Sequence, residues 1–160
     1  MIHKFILSIT MLGASLSLQA QDTLYYFSSP DSAFYGVKNQ KGDVLIPATH
    51  PVAWEVTYGE PIEDGAVELF GVDETLKQQY AKKNYIASFL TSIYDRQGKI
   101  AYYPLWFDNG SDYWVEAKRR YVDPNTGYVG FVNSAHKITI PAQWEFATPF
   151  DYGYAEVAQG

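Results

Sequence analysis

The stretches YGVKNQKGDVLIPA (35–48) and VGFVNSAHKITIPA (129–142) are one pattern written twice. Gly36 and Gly130 hold the second place in each, and Ile-Pro-Ala follows at +10, +11 and +12 from that glycine without a gap. Such a repeat settles architecture before any single motif does, because each copy is one supersecondary unit that needs neighbours to bury its apolar face. Read as strands, 34–39 runs out, Gln40-Lys41-Gly42-Asp43 turns and 44–46 returns. Gly42 stands where a tight hairpin needs positive φ. Pro47 has no N–H to give to a ladder and is expected to end the pairing.

The last copy follows the same plan: 128–133 runs out, Ser134-Ala135-His136 turns, and 137–140 comes back to Pro141. Behind it, Pro149-Phe150-Asp151-Tyr152-Gly153-Tyr154-Ala155-Glu156-Val157 has a counterpart in Pro61-Ile62-Glu63-Asp64-Gly65-Ala66-Val67-Glu68-Leu69. A weaker middle copy has a strand at 89–94, a turn at Asp95-Arg96-Gln97-Gly98 and a return at 99–103, with Pro104 one place late. Phe107-Asp108-Asn109-Gly110 then mimics Phe150-Asp151-Tyr152-Gly153, and 113–116 reads as a further strand. One segment breaks the pattern. Asp73 suits a helix N-cap, Leu76 and Tyr80 share a helical face, and Lys82-Lys83 suit a helix C-terminus. The expected fold is all-β: tandem β-hairpin repeats, about three units near 34–71, 85–117 and 128–160, curled or elongated, with one short α-helix near 73–84.

Residues 1–20 read differently from the rest. Lys4 precedes an apolar run over 5–18, and Leu18-Gln19-Ala20 ends on a small residue, as in a secretory signal peptide. The run is short of the roughly twenty residues that span a bilayer. The expectation is export by a cleaved signal, to the periplasm or the medium, with no membrane span after signal removal and 21–160 as the repeat domain. The chain has no Cys, so neither a lipid-modified cysteine nor a disulfide is available. Stability must come from burial, and 4 Trp, 14 Tyr and 9 Phe supply the material. The formal charge is −6, and loss of Lys4 with the signal makes it more negative. Phosphate backbones are held chiefly by Lys and Arg, and the one basic cluster is Lys118-Arg119-Arg120, read as a solvated strand end. Nucleic acid is not an expected partner.

These spacings resemble the WG-repeat family of bacterial β-hairpin repeats. The resemblance rests on Tyr35-Gly36-Val37 with Gly42 and Ile46-Pro47, and on Gly130-Phe131-Val132 with Ile140-Pro141-Ala142, Trp144-Glu145, Phe150, Gly153, Ala155 and Val157. The family's eponymous Trp is Tyr35 in one copy and Val129 in the other, and His136 replaces the usual turn glycine. The resemblance therefore implies a degenerate member, short or truncated, with a β-repeat fold, no shared catalytic set and no cofactor.

No pattern of nucleophile, phosphate loop or metal ligands emerges. Asp108-Asn109-Gly110-Ser111-Asp112 and Asp123-Pro124-Asn125-Thr126-Gly127 carry oxygen ligands but lack the spacing of a calcium loop, and they are strong turn sequences. His50 and His136 lie far apart in sequence, and His136 is expected to be solvated. The carboxylates Glu68 and Glu156 recur at matching repeat positions, which packing explains better than catalysis. The expectation is therefore a non-enzyme with no metal and no cofactor. Tyr102, Tyr103, Trp106, Phe107, Tyr113 and Trp114 cluster around the 108–112 loop. Core and cross-strand pairing would use most such rings, yet exposed ones could stack on a sugar. The candidate ligand-binding set is Trp106, Asp112, Tyr113 and Trp114. The leading functional expectation is a protein-interaction module, and the alternative is a carbohydrate or cell-envelope glycan-binding module.

Overall fold

The three hairpin turns are built alike, atom for atom. The computed structural model describes residues 22–51, 59–71 and 91–159. In each turn an Asx residue (Asn39, Asp95 or Asn133) gives its N–H to the carbonyl four residues on and takes the N–H three residues on at its own carbonyl. Its Oδ1 then accepts the N–H groups two and four residues on, at 2.9–3.1 Å. The residue at +3 is left-handed in all three: Gly42 at φ 92°, Gly98 at 78° and His136 at 58°. A short side chain that caps its own loop explains why Asx opens every turn.

Each turn joins two strands, and a third strand flanks the pair. β1 (Leu24–Ser28), β2 (Tyr35–Asn39) and β3 (Val44–His50) form a three-stranded antiparallel sheet. β4 (Val67–Leu69), β5 (Ser92–Tyr94) and β6 (Ile100–Pro104) follow. After the short pair β7 (Trp106–Phe107) and β8 (Gly110–Ser111) come β9 (Lys118–Val122), β10 (Val129–Asn133) and β11 (Ile138–Trp144). The second and third groups merge into one six-stranded sheet, ordered β11-β10-β9-β6-β5-β4, in which β6 meets β9 through Tyr103↔Val122 and Pro104↔Tyr121. β12 (Phe146–Ala147) pairs with β13 (Val157–Ala158).

Pro47 and Pro141 do not end their strands as expected. β3 and β11 run through them, because a bulge lifts each proline out of the ladder. Tyr35 faces His50 while Val37 faces Ile46, and likewise Val129 faces Trp144 while Phe131 faces Ile140. A proline at a bulge loses no ladder bond. Gly36 and Gly130 sit opposite these bulges, and a Cβ on Gly130 would lie 2.5 Å from the Ile140 carbonyl oxygen and 2.6 Å from the Ala142 nitrogen. On Gly36 it would collide with the equivalent Ile46 oxygen and Ala48 nitrogen. The two glycines are thus held in matching surroundings by the same close backbone approach.

The repeats bury their apolar faces against one another. Leu24, Val37 and Ile46 pack with Ile62, Val67, Leu69 and Tyr94 from the next unit. Ala66, Ile93 and Tyr102 pack with Tyr121 and Val132. Val129, Phe131 and Ala147 close the last cluster with Trp144 and Phe150 beside them. Arg96 clamps the first junction by donating to three backbone carbonyls, those of Asp22, Ile62 and Asp64, each at 2.9 Å. His50 is fully buried there. Its Nδ1–H donates to the Phe70 carbonyl at 3.3 Å and its Nε2 accepts the Tyr94 hydroxyl at 2.7 Å.

Two expectations need correction, and a third, the short helix near 73–84, lies outside the described residues. The strand read at 113–116 is a turn: only Val115 bridges, to Lys118, and Glu116 and Ala117 between them are left-handed at φ 48° and 56°. Lys118-Arg119-Arg120 is not a solvated strand end. It opens β9, inside the six-stranded sheet, and both arginines are buried.

Candidate functional site

Two consecutive buried arginines require two acids, and β9 finds them on different elements. Alternation along a strand sends successive side chains to opposite faces. Arg120 meets Asp112, which follows the β7–β8 hairpin: Nη2 to Oδ1 at 2.7 Å and Nε to Oδ2 at 2.9 Å. The Arg120 N–H also donates to Oδ2 at 3.0 Å, and Nη1 donates to the Ala147 carbonyl at 2.9 Å. With Asp112 only 1% exposed, the pair is a buried, bidentate ion pair. Arg119 turns the other way. Its Nη1 and Nη2 both donate to one oxygen of Glu68 on β4, at 3.3 Å, and its Nε donates to the Asp112 carbonyl.

Next to Arg119, polar groups lead to the third hairpin turn. Burial pushes the Tyr102 hydroxyl pKa up, against the pull of the neighbouring Arg119 cation. The Tyr102 hydroxyl is hydrogen-bonded to His136 Nδ1 at 3.0 Å, with the two rings stacked. Trp114 stands edge-on to His136 at 5.5 Å and lies 5.4 Å from the Arg119 guanidinium, within cation–π range. His136 was expected in solvent, but it is half-buried. Burial holds its imidazole below the usual histidine range, and the Arg119 cation adds to this, while Asp64 and Glu68 pull the other way. The neutral form is therefore the one the fold selects. The stability it contributes is complete above the ordinary histidine pKa of about 6.5 and is lost as pH falls through that value toward the lowered one. Between about pH 7.5 and 5.5 the unfolding midpoint should drop further in the wild type than in His136→Gln. Parallel curves for the two proteins would refute this.

The four sequence-predicted site residues part company. Asp112 is sealed under Arg120, so its carboxylate cannot reach a ligand. Trp106 is half-buried with its ring against Phe70. Tyr113 and Trp114 are exposed, at 52% and 39%, and Phe107 packs edge-on to Tyr113 at its side. Tyr102 and Tyr103 are buried. Sequence reasoning overlooked Tyr152 and Tyr154, which stand 88% and 80% exposed. Their signal was in the Asp151-Tyr152-Gly153-Tyr154 hairpin turn: a tip with both central residues left-handed, at φ 48° and 83°, points its side chains outward. The Gly153 N–H donates to Glu116 Oε2 at 2.9 Å, tying this turn to the 115–118 turn next to Tyr113 and Trp114. The site is therefore a set of adjoining primed turns that carry exposed rings. It offers apolar area and hydrogen-bonding tips, and among the described residues no group of three His, Asp or Glu side chains gathers as a metal site.

Residues 130–160 match the family model described as WG containing repeat. No curated protein and no solved structure matches the chain. The matched segment begins at the glycine of the bulge, spans the Ile-Pro-Ala of β11 and runs past the Tyr152–Gly153 turn into β13. A glycine set against a bulged return strand is built twice in this chain, and over the last copy, residues 130–160, the chain is similar to the WG containing repeat.

Proposed function

We propose that the chain is an exported, non-catalytic recognition module whose adjoining turns bind a protein partner through Tyr113, Trp114, Tyr152 and Tyr154. The observation that carries this reading is the pair Tyr152 and Tyr154, almost wholly exposed and adjacent to two further exposed rings. Large apolar rings left in water cost free energy that a partner recovers by covering them. Tyr and Trp are also the residue types that dominate protein-binding energies. A glycan would use the same rings, but with Asp112 committed to Arg120 the acid expected to grip it is withdrawn. That observation favours a protein.

Capture of partners from envelope extract by the wild type and by Tyr152→Ala/Tyr154→Ala tests the reading. Loss of a hydrogen-bonding ring at an interface centre costs about 2 kcal/mol or more, so a specific partner should be retained at least about tenfold less. The unfolding midpoint should hold, because neither ring is packed. Equal retention would refute the assignment, and binding to a purified glycan, lost in Trp114→Ala, would replace it with the glycan reading.

A further inference from the structure

A second site lies where the second repeat meets the third. Beside the β6–β9 seam a pocket of about 230 Å³ is lined by Tyr102, Tyr103 and Tyr121, with Ile100 and Ile138 exposed among its walls and Asp123 as its acid. It shares no residue with the turn cluster. The repeat itself explains why the space exists. Val37 faces Ile46 as Ile93 faces Tyr102, so Leu45 and Ala101 occupy the same place in successive units. At the first junction Leu45 packs into the core and its carbonyl abuts Gly98 of the next turn. At the second junction the residue is Ala101, three carbons smaller, and the pocket opens beside it.

The lining points to one class of ligand. The Tyr102 and Tyr121 rings stand edge-on at 6.3 Å in its wall, and aromatic rings attract cations. The Asp123 carboxylate accepts one hydrogen bond, from the Asn125 N–H at 2.8 Å through Oδ1, and pairs with no cation among the described residues. The cations nearby do not compete for the site. Arg119 acts on Tyr102 but is paired with Glu68, and His136, hydrogen-bonded to Tyr102, is held neutral. At about 230 Å³ the space is below the roughly 300–1,000 Å³ of drug-sized sites. It suits a short aliphatic stem with a cationic head.

We infer that this junction pocket binds an alkylammonium group, either a free amine or the side chain of a partner's lysine. The stem takes the place that Leu45 fills at the first junction, Tyr102 and Tyr121 flank the head, and Asp123 neutralises it. Butylammonium, titrated by NMR while the ring signals of Tyr121 are followed, should saturate at a Kd on the order of 1 mM, a reasonable value for so few atoms. Butan-1-ol, with the same heavy-atom skeleton and no charge, should bind at least about tenfold more weakly. Asp123→Asn keeps the turn-capping oxygen and should weaken butylammonium by about tenfold while leaving butan-1-ol unchanged. Ala101→Leu fills the space and should abolish both. Equal binding of the alcohol and the amine would overturn the inference, as would full affinity in Asp123→Asn. N-acetyl-lysine amide decides the source: binding as tight as butylammonium assigns a protein side chain, and exclusion assigns a free amine. Because Tyr152 and Tyr154 are intact throughout, failure here leaves the turn-mediated reading untouched.

Discussion

Asp112→Ala should cost the fold about 3–5 kcal/mol, because it strands the Arg120 guanidinium in the sheet interior without its counter-charge. The stability of a domain this size is on the order of 5–15 kcal/mol, so the loss takes a large share of it. Asp112 also accepts the Arg120 N–H, so the backbone of β9 loses a partner at the same step. Removing both charges is a different experiment. Asp112→Leu/Arg120→Met replaces the ion pair with apolar groups of similar bulk and should recover much of the loss, since such replacements of buried pairs are often neutral. Urea unfolding of the two proteins makes the comparison. A double variant no more stable than Asp112→Ala would show that Arg120 matters for its bond to the Ala147 carbonyl rather than for its charge.

Gly130→Ala should destabilise by about 3 kcal/mol, at the upper end of what overpacking costs. The reason is contact, not dihedral strain: the Gly130 backbone is not left-handed, and its added methyl would meet the return strand's Ile140 and Ala142 backbone and the Tyr121 ring at 2.5–2.6 Å. Only the ring can give way, and its hydroxyl is held by the Ala142 N–H at 2.9 Å. Gly42→Ala provides the contrast. There a Cβ meets nothing within 4 Å but must adopt φ 92°, a strain of about 1–2 kcal/mol for an L-residue. Thermal unfolding should rank wild type above Gly42→Ala and Gly42→Ala above Gly130→Ala. The reverse order would mean that the bulge relaxes and that glycine is not what the repeat requires there.

The hairpins were legible because their causes are local. Turn, left-handed position and return strand lie within about ten residues of each other, and an Asx cap or a glycine acts on its own neighbours. His136 was harder. Its turn was readable, but its burial follows from Tyr102, thirty-four residues away on another unit. The prolines misled for a similar reason: a proline argues against continued pairing only when the partner strand keeps step, and here the partner skips. The aromatic cluster divided along lines no periodicity marks. Tyr102 and Tyr103 enter the sheet, while Tyr113 and Trp114 stay outside because 113–116 turns where a strand was expected.

By itself the sequence determined that a hairpin with a proline-bearing return is duplicated, and that rings rather than cross-links must fill its interior. Tertiary structure alone decided the fate of the charges. Three consecutive basic residues read as a wet strand end, yet Arg119 and Arg120 are buried because Glu68 lies fifty-one residues upstream on another strand of the same sheet and Asp112 just after a separate hairpin. Whether a charge faces water depends on what another strand sets opposite it, and that pairing is fixed by long-range register, which no short window of residues contains.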